Sequence, residues 1–264
     1  MSCFFVVGTD KRSLNIKEML KNEGKMAENM DKATYIIAPT PFSKDSEVLT
    51  GTDMKCKAFV NICIGKIVFA GAIPKEIKEM MEEKNIKYYD LMEYDDVAIL
   101  NAIPTAEGAI KIAIEKTETT LSGSKVLVMG YGRIGKILCK MLHGIGAEVY
   151  CEARKASDLA QIKALGYNDI DLKYLDNYLQ SFEYIFNTIP KMILDRNRLE
   201  KVKKDVCIID LASNPGGVDF EAAKEKNIQA SLELALPSKV APISAAMYLK
   251  KKIDEIIQDE IIGG

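Results

Sequence analysis

The sequence predicts an α/β fold made of two doubly wound parallel-sheet domains. Short apolar segments alternate with helical patterns along the chain, which is typical of strand–helix–strand units. A length of 264 residues suits two domains of ordinary size. With 48% hydrophobic residues and a formal net charge of −2, the composition is that of a folded globular protein and does not indicate a nucleic-acid partner.

The first domain is predicted to comprise residues 1–104 and to be a small parallel α/β unit. Its predicted strands are short apolar runs, at Cys3–Val7, Tyr35–Ala38, Ile67–Ala70 and Lys87–Tyr89. Helices are predicted at residues 13–22 and from Pro74 onward, because proline fits the first turn of a helix. No glycine-rich phosphate motif follows these strands, and we expect this domain to bind the substrate.

The second domain is predicted to span residues 105–241. A helix at residues 105–119 is expected to link it to the first domain, because its alanines recur at the spacing of a buried helix face. Its strands are predicted at 125–129, 148–152, 184–187 and 207–210. A final helix at residues 242–262 is expected to pack back on the first domain.

The segment 130–135, Gly-Tyr-Gly-Arg-Ile-Gly, lies between a predicted strand and a predicted helix. Its first glycine permits the turn, its second lets a pyrophosphate approach the backbone, and its third lets helix and strand pack closely. The helix N-terminus favours the phosphate charge. We therefore predict a dinucleotide-binding, Rossmann-like domain, with a site that includes Gly130, Tyr131, Gly132, Arg133, Ile134 and Gly135.

Two loops after later strands are predicted to line the same cofactor cleft. In open parallel sheets, ligands bind outside the carboxyl ends of the strands. The loops are rich in turn residues and contribute Thr188, Ile189 and Pro190, and then Leu211, Ala212 and Ser213.

The end of the strand at 148–152 is predicted to choose the coenzyme. The position that usually carries an acidic residue for the ribose of NAD is Ala153, and Arg154 and Lys155 follow it. Two cations and the hydroxyl of Ser157 suit a 2′-phosphate, which favours NADP. Glu152 supports the alternative, because a shift of one residue would put its carboxylate on the ribose and favour NAD.

Four polar side chains near predicted strand ends and the domain junction are candidates for the substrate site. Arg12 and Lys239 are cations that suit the carboxylates of an acidic substrate, and Asp10 and Glu107 are nearby acids. The single histidine, His143, lies two turns into a helix, too far along it to act as the proton acceptor of a hydroxy-acid dehydrogenase.

Other classes of site are not predicted. One histidine and six cysteines without a paired spacing do not indicate a zinc site, and we expect no metal and reduced thiols. No apolar stretch approaches the roughly 20 residues of a membrane span, and the N-terminus lacks the features of a signal peptide. We therefore expect a cytoplasmic protein with no membrane or nucleic-acid partner.

Several longer segments resemble the A-subunit family of dipicolinate synthases from spore-forming bacteria. They are GTDKR at 8–12, DDVAILNAIPTAEGAI at 95–110, GSKVLVMGYGRIGK at 123–136, EARKASDLA at 152–160, NTIPKMIL at 187–194 and IDLASNPGGVDF at 209–220. The second and the last are the most specific, and the resemblance covers nearly the whole chain.

The resemblance implies a function. It implies an NADP-dependent subunit that forms dipicolinate from a dihydro- or tetrahydrodipicolinate precursor during sporulation, in the mother cell, together with a flavoprotein-like B subunit. A dicarboxylate substrate would explain Arg12 and Lys239, and a hydroxylated precursor would need an acid such as Glu107 or Asp10 for dehydration. We also expect a homo-oligomer.

Two alternatives remain open from the sequence. In the first, the chain would be another two-domain NAD(P) oxidoreductase, similar to shikimate or alanine dehydrogenases. In the second, it would be a nucleotide-sensing protein without catalysis. The first alternative predicts turnover of those substrates, and the second predicts tight NADP binding without turnover.

Overall fold

The computed structural model describes residues 3–263, which divide into two compact units. The first unit comprises residues 3–101 and 241–263, and the second comprises residues 102–240. The strands are β1 (Phe4–Val6), β2 (Tyr35–Ile37), β3 (Ile67–Ala70), β4 (Lys87–Asp90), β5 (Lys125–Met129), β6 (Glu148–Ala153), β7 (Asn168–Asp171), β8 (Tyr184–Asn187), β9 (Cys207–Asp210) and β10 (Gln229–Leu232).

The helices alternate with these strands. They are α1 (Lys11–Asn22), α2 (Cys56–Ile62), α3 (Lys75–Glu83), α4 (Asp95–Lys116), α5 (Arg133–Ile145), α6 (Ala156–Ala164), α7 (Arg196–Leu199), α8 (Phe220–Glu225), α9 (Leu236–Val240) and α10 (Pro242–Gly263). Short 3-10 helices lie at Leu91–Glu93, Leu172–Asn177 and Leu179–Ser181.

In the first unit, β1 to β4 form a parallel sheet in the order β1-β2-β3-β4. Met26 forms a parallel bridge with Phe4. The Phe4 N–H donates to Lys25 O, and Phe4 O accepts the N–H of Ala27. In contrast, Cys3 O accepts N–H groups at the start of β2. Successive residues of a strand bond to opposite neighbours, so Met26 lies on the side of β1 away from β2. After β1 the chain first passes Met26 on one side of this strand and then crosses to β2 on the other side, a reversal that is typical of doubly wound sheets.

In the second unit, the strands form a six-stranded parallel sheet in the order β10-β9-β8-β5-β6-β7. The chain runs from β5 through β6 to β7, and then crosses back to β8 on the other side of β5. This is the strand order of a Rossmann fold, with the reversal between β5 and β8. The predicted fold class is confirmed.

Apolar clusters cover both faces of each sheet. In the second unit, one cluster combines β5, β6 and β8 with α4 and α5 through residues such as Val128, Ala109 and Leu138. The cluster on the other face contains Met129 and Ile170. In the first unit, α2 and α3 cover one face, while α1 and α10 cover the other and contact each other.

Helix α4 differs from the prediction. It begins at Asp95 rather than at residue 105, and Pro104 lies inside it. Residues 101–105, Asn-Ala-Ile-Pro-Thr, mark the end of the first domain in the prediction, but they lie inside the helix although proline lacks the N–H of an interior hydrogen bond. Two acidic residues, Asp95 and Asp96, occupy the first turn, where they favour the helix N-terminus. The division between the units falls within this helix, after Asn101.

Residues 236–240, which include Lys239, form the short helix α9. Helices α2 and α6 to α9, and strands β7 and β10, were not predicted. Apart from α6, which has nine residues, each contains only four to seven residues, too few for a periodic pattern to be visible in the sequence.

Within residues 3–263, α4 is long and apolar enough to cross a membrane by length and composition alone. The prediction that no apolar stretch approaches that length is therefore wrong, because the helix was predicted to begin only after Pro104 and the residues before it were not counted as part of it. Ala106, Ala109 and Ala113 of this helix are fully buried in the core of the second unit.

Candidate functional site

The glycine turn of the second unit connects β5 to α5 at the reversal of the sheet. Gly130 has a φ of +92°, a conformation that favours glycine, and its N–H donates to Glu152 O at 3.1 Å. A Cβ atom at Gly135 would lie 2.0 Å from Gly130 O. A larger residue at 135 would therefore push the helix away from the turn.

The N-terminus of α5 has no side-chain cap. Gly132 occupies the cap position and has no side chain that could accept a hydrogen bond from the first turn. A Cβ atom at Gly132 would meet no other atom within 4 Å, so the backbone here faces open space. An uncapped helix N-terminus beside a tight glycine turn fits the pyrophosphate of a dinucleotide.

The side chains of the remaining turn residues differ in their burial. Tyr131 is 7% exposed and packs in the core cluster, and the Lys136 ammonium lies 5.0 Å from the centre of its ring. Ile134 is half-buried against the same cluster, whereas Arg133 is exposed.

At the end of β6, the predicted coenzyme-selecting residues follow one another at the surface. Ala153 is the last residue of the strand and is buried, whereas Arg154, Lys155 and Ser157 are exposed. Within residues 3–263, these three side chains form neither an ion pair nor a hydrogen bond. Two unpaired cations and a hydroxyl thus adjoin the position where an acidic residue selects NAD in related folds.

Glu152 precedes them and lies in the interior. Its side chain is fully buried, and both carboxylate oxygens have no hydrogen-bond partner among the described residues. Burial raises the pKa of Glu152, while the Gly130 N–H and the charges of Arg154 and Arg198 oppose that rise. A side chain in this position is not exposed to a ribose hydroxyl.

A buried polar pair holds the two loops after β8 and β9. The Asn187 amide donates to Asp210 Oδ1 at 2.8 Å, and both residues are fully buried. Asn187 also bonds to the backbone N–H and C=O of Ile189. Asp210 accepts the N–H groups of Ala212 and Gly217 at 3.0 and 2.7 Å. One hydrogen-bonded pair therefore fixes the backbone of both loops.

The first of these loops closes against the glycine turn. Thr188 Oγ1 donates to Met129 O at 2.9 Å. A Cβ atom at Gly130 would lie 2.6 Å from Thr188 Oγ1. Ile189 is half-buried and Pro190 is exposed. In the second loop, Leu211 and Ala212 are buried and Ser213 is exposed. The structure thus places both predicted loops at the carboxyl edge of the sheet that carries the glycine turn.

Asn187 and Asp210 were not predicted as site residues. The available signal was a polar residue at the last position of two apolar strands, Tyr-Ile-Phe-Asn and Cys-Ile-Ile-Asp. A buried polar side chain at a strand end must have a partner, and here each residue is the partner of the other.

In the first unit, the structure brings Asp10 and Arg12 together. Asp10 caps α1 by accepting the N–H groups of Arg12 and Ser13, and it accepts the Ser13 hydroxyl at 2.7 Å. Arg12 is 7% exposed, lies 3.4 Å from Asp10 through Nε, and donates through Nη2 to Thr40 O. The cavity beside them measures about 10 Å³, space for about one water molecule.

Glu107 and Lys239 lie in the second unit as exposed residues of α4 and α9. The two helices meet at Gly108, where a Cβ atom would lie 2.9 Å from Val240 Cγ2. His143 lies exposed on α5, with its ring 5.3 Å from that of Tyr167. No group of metal-binding side chains occurs within residues 3–263.

Residues 105–222 match the family described as D-isomer specific 2-hydroxyacid dehydrogenase, NAD binding domain. The second unit is therefore similar to these domains, which supports a nicotinamide dinucleotide as its cofactor. The match does not distinguish NAD from NADP.

The chain is also similar to proteins that contain both units. It is 35% identical over 193 residues to the A subunit of dipicolinate synthase from Bacillus subtilis, and the alignment covers 73% of this chain. The crystal structure of that enzyme's A chain, also from Bacillus subtilis, superposes with a TM-score of 0.88 at 28% identity, covering 100% of this chain and 98% of that one. The predicted resemblance to the A subunits of dipicolinate synthases is confirmed.

A second A subunit of dipicolinate synthase, from Bacillus halodurans, superposes with a TM-score of 0.87 at 27% identity over 97% of each chain. The chain spans 65% of the length of its curated Bacillus subtilis relative. A transhydrogenase from Sinorhizobium meliloti shares the fold, with a TM-score of 0.77 at 15% identity over 98% of this chain and 85% of that one.

Proposed function

We propose that this chain is an NADP-dependent oxidoreductase subunit that forms dipicolinate from a dihydro- or tetrahydrodipicolinate precursor. The observation that carries the proposal is the uncapped glycine turn at the start of α5 beside the exposed, unpaired Arg154 and Lys155. The similarity to the A subunits of dipicolinate synthases across both units supports the choice of reaction.

The residues of the second unit fit the coenzyme. Gly132 and the first turn of α5 would hold the pyrophosphate, and Arg154, Lys155 and Ser157 would hold the 2′-phosphate. Thr188 to Pro190 and Leu211 to Ser213, fixed by Asn187 and Asp210, would orient the nicotinamide half. When bound, the coenzyme supplies the hydride acceptor, and the chain supplies binding and orientation.

The proposed reaction needs little proton chemistry from the chain. Oxidation of a dihydropyridine to an aromatic ring transfers one hydride to the coenzyme and releases one ring proton to water. It requires no base for an alcohol proton, in accordance with the exposed position of His143 on α5. A hydroxylated precursor would need an acid for dehydration, and Glu107 and Asp10 are the proposed candidates. Glu107 is exposed on α4, and the Asp10 side chain is 30% exposed, so both carboxyl groups can be reached from outside the fold.

We propose that Arg12 and Lys239 each bind a carboxylate of the substrate. Within residues 3–263, the Nη1 donors of Arg12 have no acceptor, and Lys239 forms no ion pair. The Arg12 side chain is held by Asp10 and by Thr40 O, so a carboxylate would meet a positioned guanidinium. The double variant Arg12→Ala/Lys239→Ala should raise KM for the precursor, and unchanged kinetics would contradict this assignment.

The proposed reaction can be measured directly. The unstable precursor is generated in the assay from pyruvate and aspartate semialdehyde by its synthase, and NADP reduction is followed together with the ultraviolet absorbance of dipicolinate. Product with this chain alone would support a complete site here, and product only with the B subunit would support a shared one. NADPH binding without product in either assay would contradict the proposed reaction and favour a nucleotide-sensing protein.

We also propose that the protein works in the cytoplasm of the sporulating mother cell, as a homo-oligomer that acts with a flavoprotein-like B subunit. An apolar groove of about 660 Å³ on the second unit supports the homo-oligomer. It runs between α4 and α5, and its apolar lining is Ile110, Ile114, Met141 and Ile145.

The charges beside this groove favour a second copy of the chain as its occupant. Helix α5 carries Arg133, Lys136 and Lys140 and no acidic residue, whereas α4 carries Glu107 on the rim of the groove beside the ion pair of Lys111 with Glu115. In a two-fold arrangement, α4 of each copy would face α5 of the other, so that opposite charges meet twice.

The mass in solution tests this interface. The chain has a mass of 29.3 kDa, and sedimentation should give twice that value. Ile114→Glu should yield the monomer, because Ile114 is 59% exposed at the groove. Ile64→Glu is the matched control, since Ile64 is 56% exposed in the first unit. A monomeric wild type, or a dimer that survives Ile114→Glu, would contradict the proposed interface.

A further inference from the structure

Glu152 occupies an unusual position for an acidic residue. It is the penultimate residue of β6, and its neighbours in the sheet are Met129 on β5 and Ile170 on β7. Residues in register across a sheet point to the same face, so the carboxyl group lies beside two apolar side chains. It is fully buried, and neither oxygen has a hydrogen-bond partner among residues 3–263.

An ionised carboxylate is unfavourable in such surroundings, because burial removes its hydration and no side chain among residues 3–263 hydrogen-bonds to either oxygen. Burial accordingly raises the pKa of Glu152 above its usual value, which means that the group keeps its proton to a higher pH. The groups that act on it are the Gly130 N–H, Arg154 directly after its own strand, Arg198 of α7 and Asp171 at the end of β7, whereas the neighbouring Cys151 thiol points to the other face of the sheet.

The exposed cations of the same strand end lie close by. Arg154 is two residues beyond Glu152, about 7 Å along an extended chain. That distance is within the screening length of roughly 8 Å at physiological salt, so the charge state of Glu152 is felt there. The Arg154 charge already acts on Glu152. A phosphate at Arg154 and Lys155 would add about −1.5 to −2 charges at this end of the strand.

We propose that the Glu152 carboxyl group is a second determinant of coenzyme choice, which permits binding of a 2′-phosphorylated coenzyme while it carries its proton and opposes that binding once it is ionised. This role differs from that of an acidic residue that binds the ribose, because that position is Ala153 here. The inference rests on the coenzyme part of the proposed function and is independent of the substrate.

The test compares the wild type with Glu152→Gln, which mimics the protonated acid. The affinities for NADPH and NADH are measured by calorimetry from about pH 4.5, the usual pKa of a glutamic acid, upward to about pH 9. Ionisation of Glu152 should lower the NADPH-to-NADH preference of the wild type by about tenfold as pH rises, as expected for repulsion between two negative groups near a protein surface. Glu152→Gln should keep its preference. Glu148→Gln, at the exposed start of the same strand, should behave as the wild type does.

Titration of the phosphate does not produce the same result. A 2′-phosphate with a pKa near 6 gains charge as pH rises, which strengthens its binding to cations. The expected weakening therefore has the opposite sign. An identical pH profile for the wild type and Glu152→Gln would overturn this inference and leave the proposed function intact. Absence of NADPH binding to the wild type would overturn both.

A stability measurement covers the case in which Glu152→Gln binds no coenzyme. Because the pKa is raised in the folded protein, the neutral group contributes stability that is complete below its usual value and is lost as pH rises through the raised value. Denaturant unfolding should show the wild type losing stability relative to Glu152→Gln across that range. For the wild type alone, the affinity for adenosine 2′,5′-bisphosphate relative to 5′-AMP should fall with pH, and a constant ratio would overturn the inference.

Discussion

Both units reverse their sheets beside a strand–turn–helix segment, but the two helices begin differently. At α1, Asp10 accepts two backbone N–H groups and holds Arg12, so a carboxylate of the chain already occupies the helix N-terminus. At α5, Gly132 provides no side chain, and the N-terminus is uncapped. The same topology therefore offers a phosphate site in the second unit and a positioned guanidinium in the first.

The comparison shows why topology alone does not define a ligand. Strand order places a crevice at both reversals. The residue at the helix cap then decides whether the positive end of the helix is neutralised within the protein or left for an anion. An acidic cap at one reversal and a glycine at the other distinguish the two crevices.

The largest expected effect follows from adding a Cβ atom at Gly135, where α5 lies close to the glycine turn. In Gly135→Ala, the new Cβ atom would lie 2.0 Å from Gly130 O, so α5 must move away from the turn. NADPH affinity should fall on the order of 100-fold or more, because small displacements of binding groups are costly. Calorimetry measures the change. Gly144→Ala, where a Cβ atom meets nothing within 4 Å, is the control and should bind normally.

The second effect concerns the pair that fixes both loops of the second unit. Asp210→Ala removes the acceptor for the N–H groups of Ala212 and Gly217, and it should lower the free energy of unfolding by about 2 kcal/mol. Denaturant unfolding measures the loss. Asp205→Ala, an exposed residue just before β9, should change it little. Equal stability of the two variants would contradict the structural role of Asp210.

The third effect sharpens the assignment of the coenzyme. The double variant Arg154→Ala/Lys155→Ala should weaken NADPH binding by about tenfold, because charge-assisted hydrogen bonds to the phosphate are lost. NADH affinity should not change. Lys163→Ala removes an exposed cation from the same unit, near the end of α6, and should leave both affinities unaltered. A parallel loss of NADH binding would mean that the two cations do not recognise the 2′-phosphate.

The smallest effect belongs to the first unit. Asp10→Ala removes the cap of α1 and should destabilise the protein by about 1 kcal/mol, whereas Asp10→Asn keeps a capping oxygen and should cost less. NADPH affinity should be the same in both variants and in the wild type. A loss of NADPH binding in Asp10→Ala would remove the distinction between the two helix N-termini.

Much of this arrangement was accessible from the sequence because its signals are local. Strands β3, β5, β8 and β9 occur at the predicted residues, since each is a short apolar run bounded by turn residues. The glycine spacing at 130–135 identified the turn, because each glycine answers a steric requirement of that turn.

The features that could not be predicted depend on contacts between distant residues. The pairing of Asn187 with Asp210 joins two strands, and the burial of Glu152 depends on what covers its face of the sheet. Helix α4 continues through Pro104 because its alanines are buried in the core, a tertiary effect that outweighs the local preference of proline. The cap by Asp10 was visible as an acidic residue before α1, but its contact with Arg12 was not.

Hydrogen exchange with and without NADPH tests the central distinction most directly, because it compares both helix N-termini in one experiment. NADPH should protect the backbone at residues 130–136 and 153–157, with little change at residues 8–13. NADH should protect the glycine turn but give less protection at 153–157. Protection at residues 8–13 without protection of the glycine turn would contradict the account.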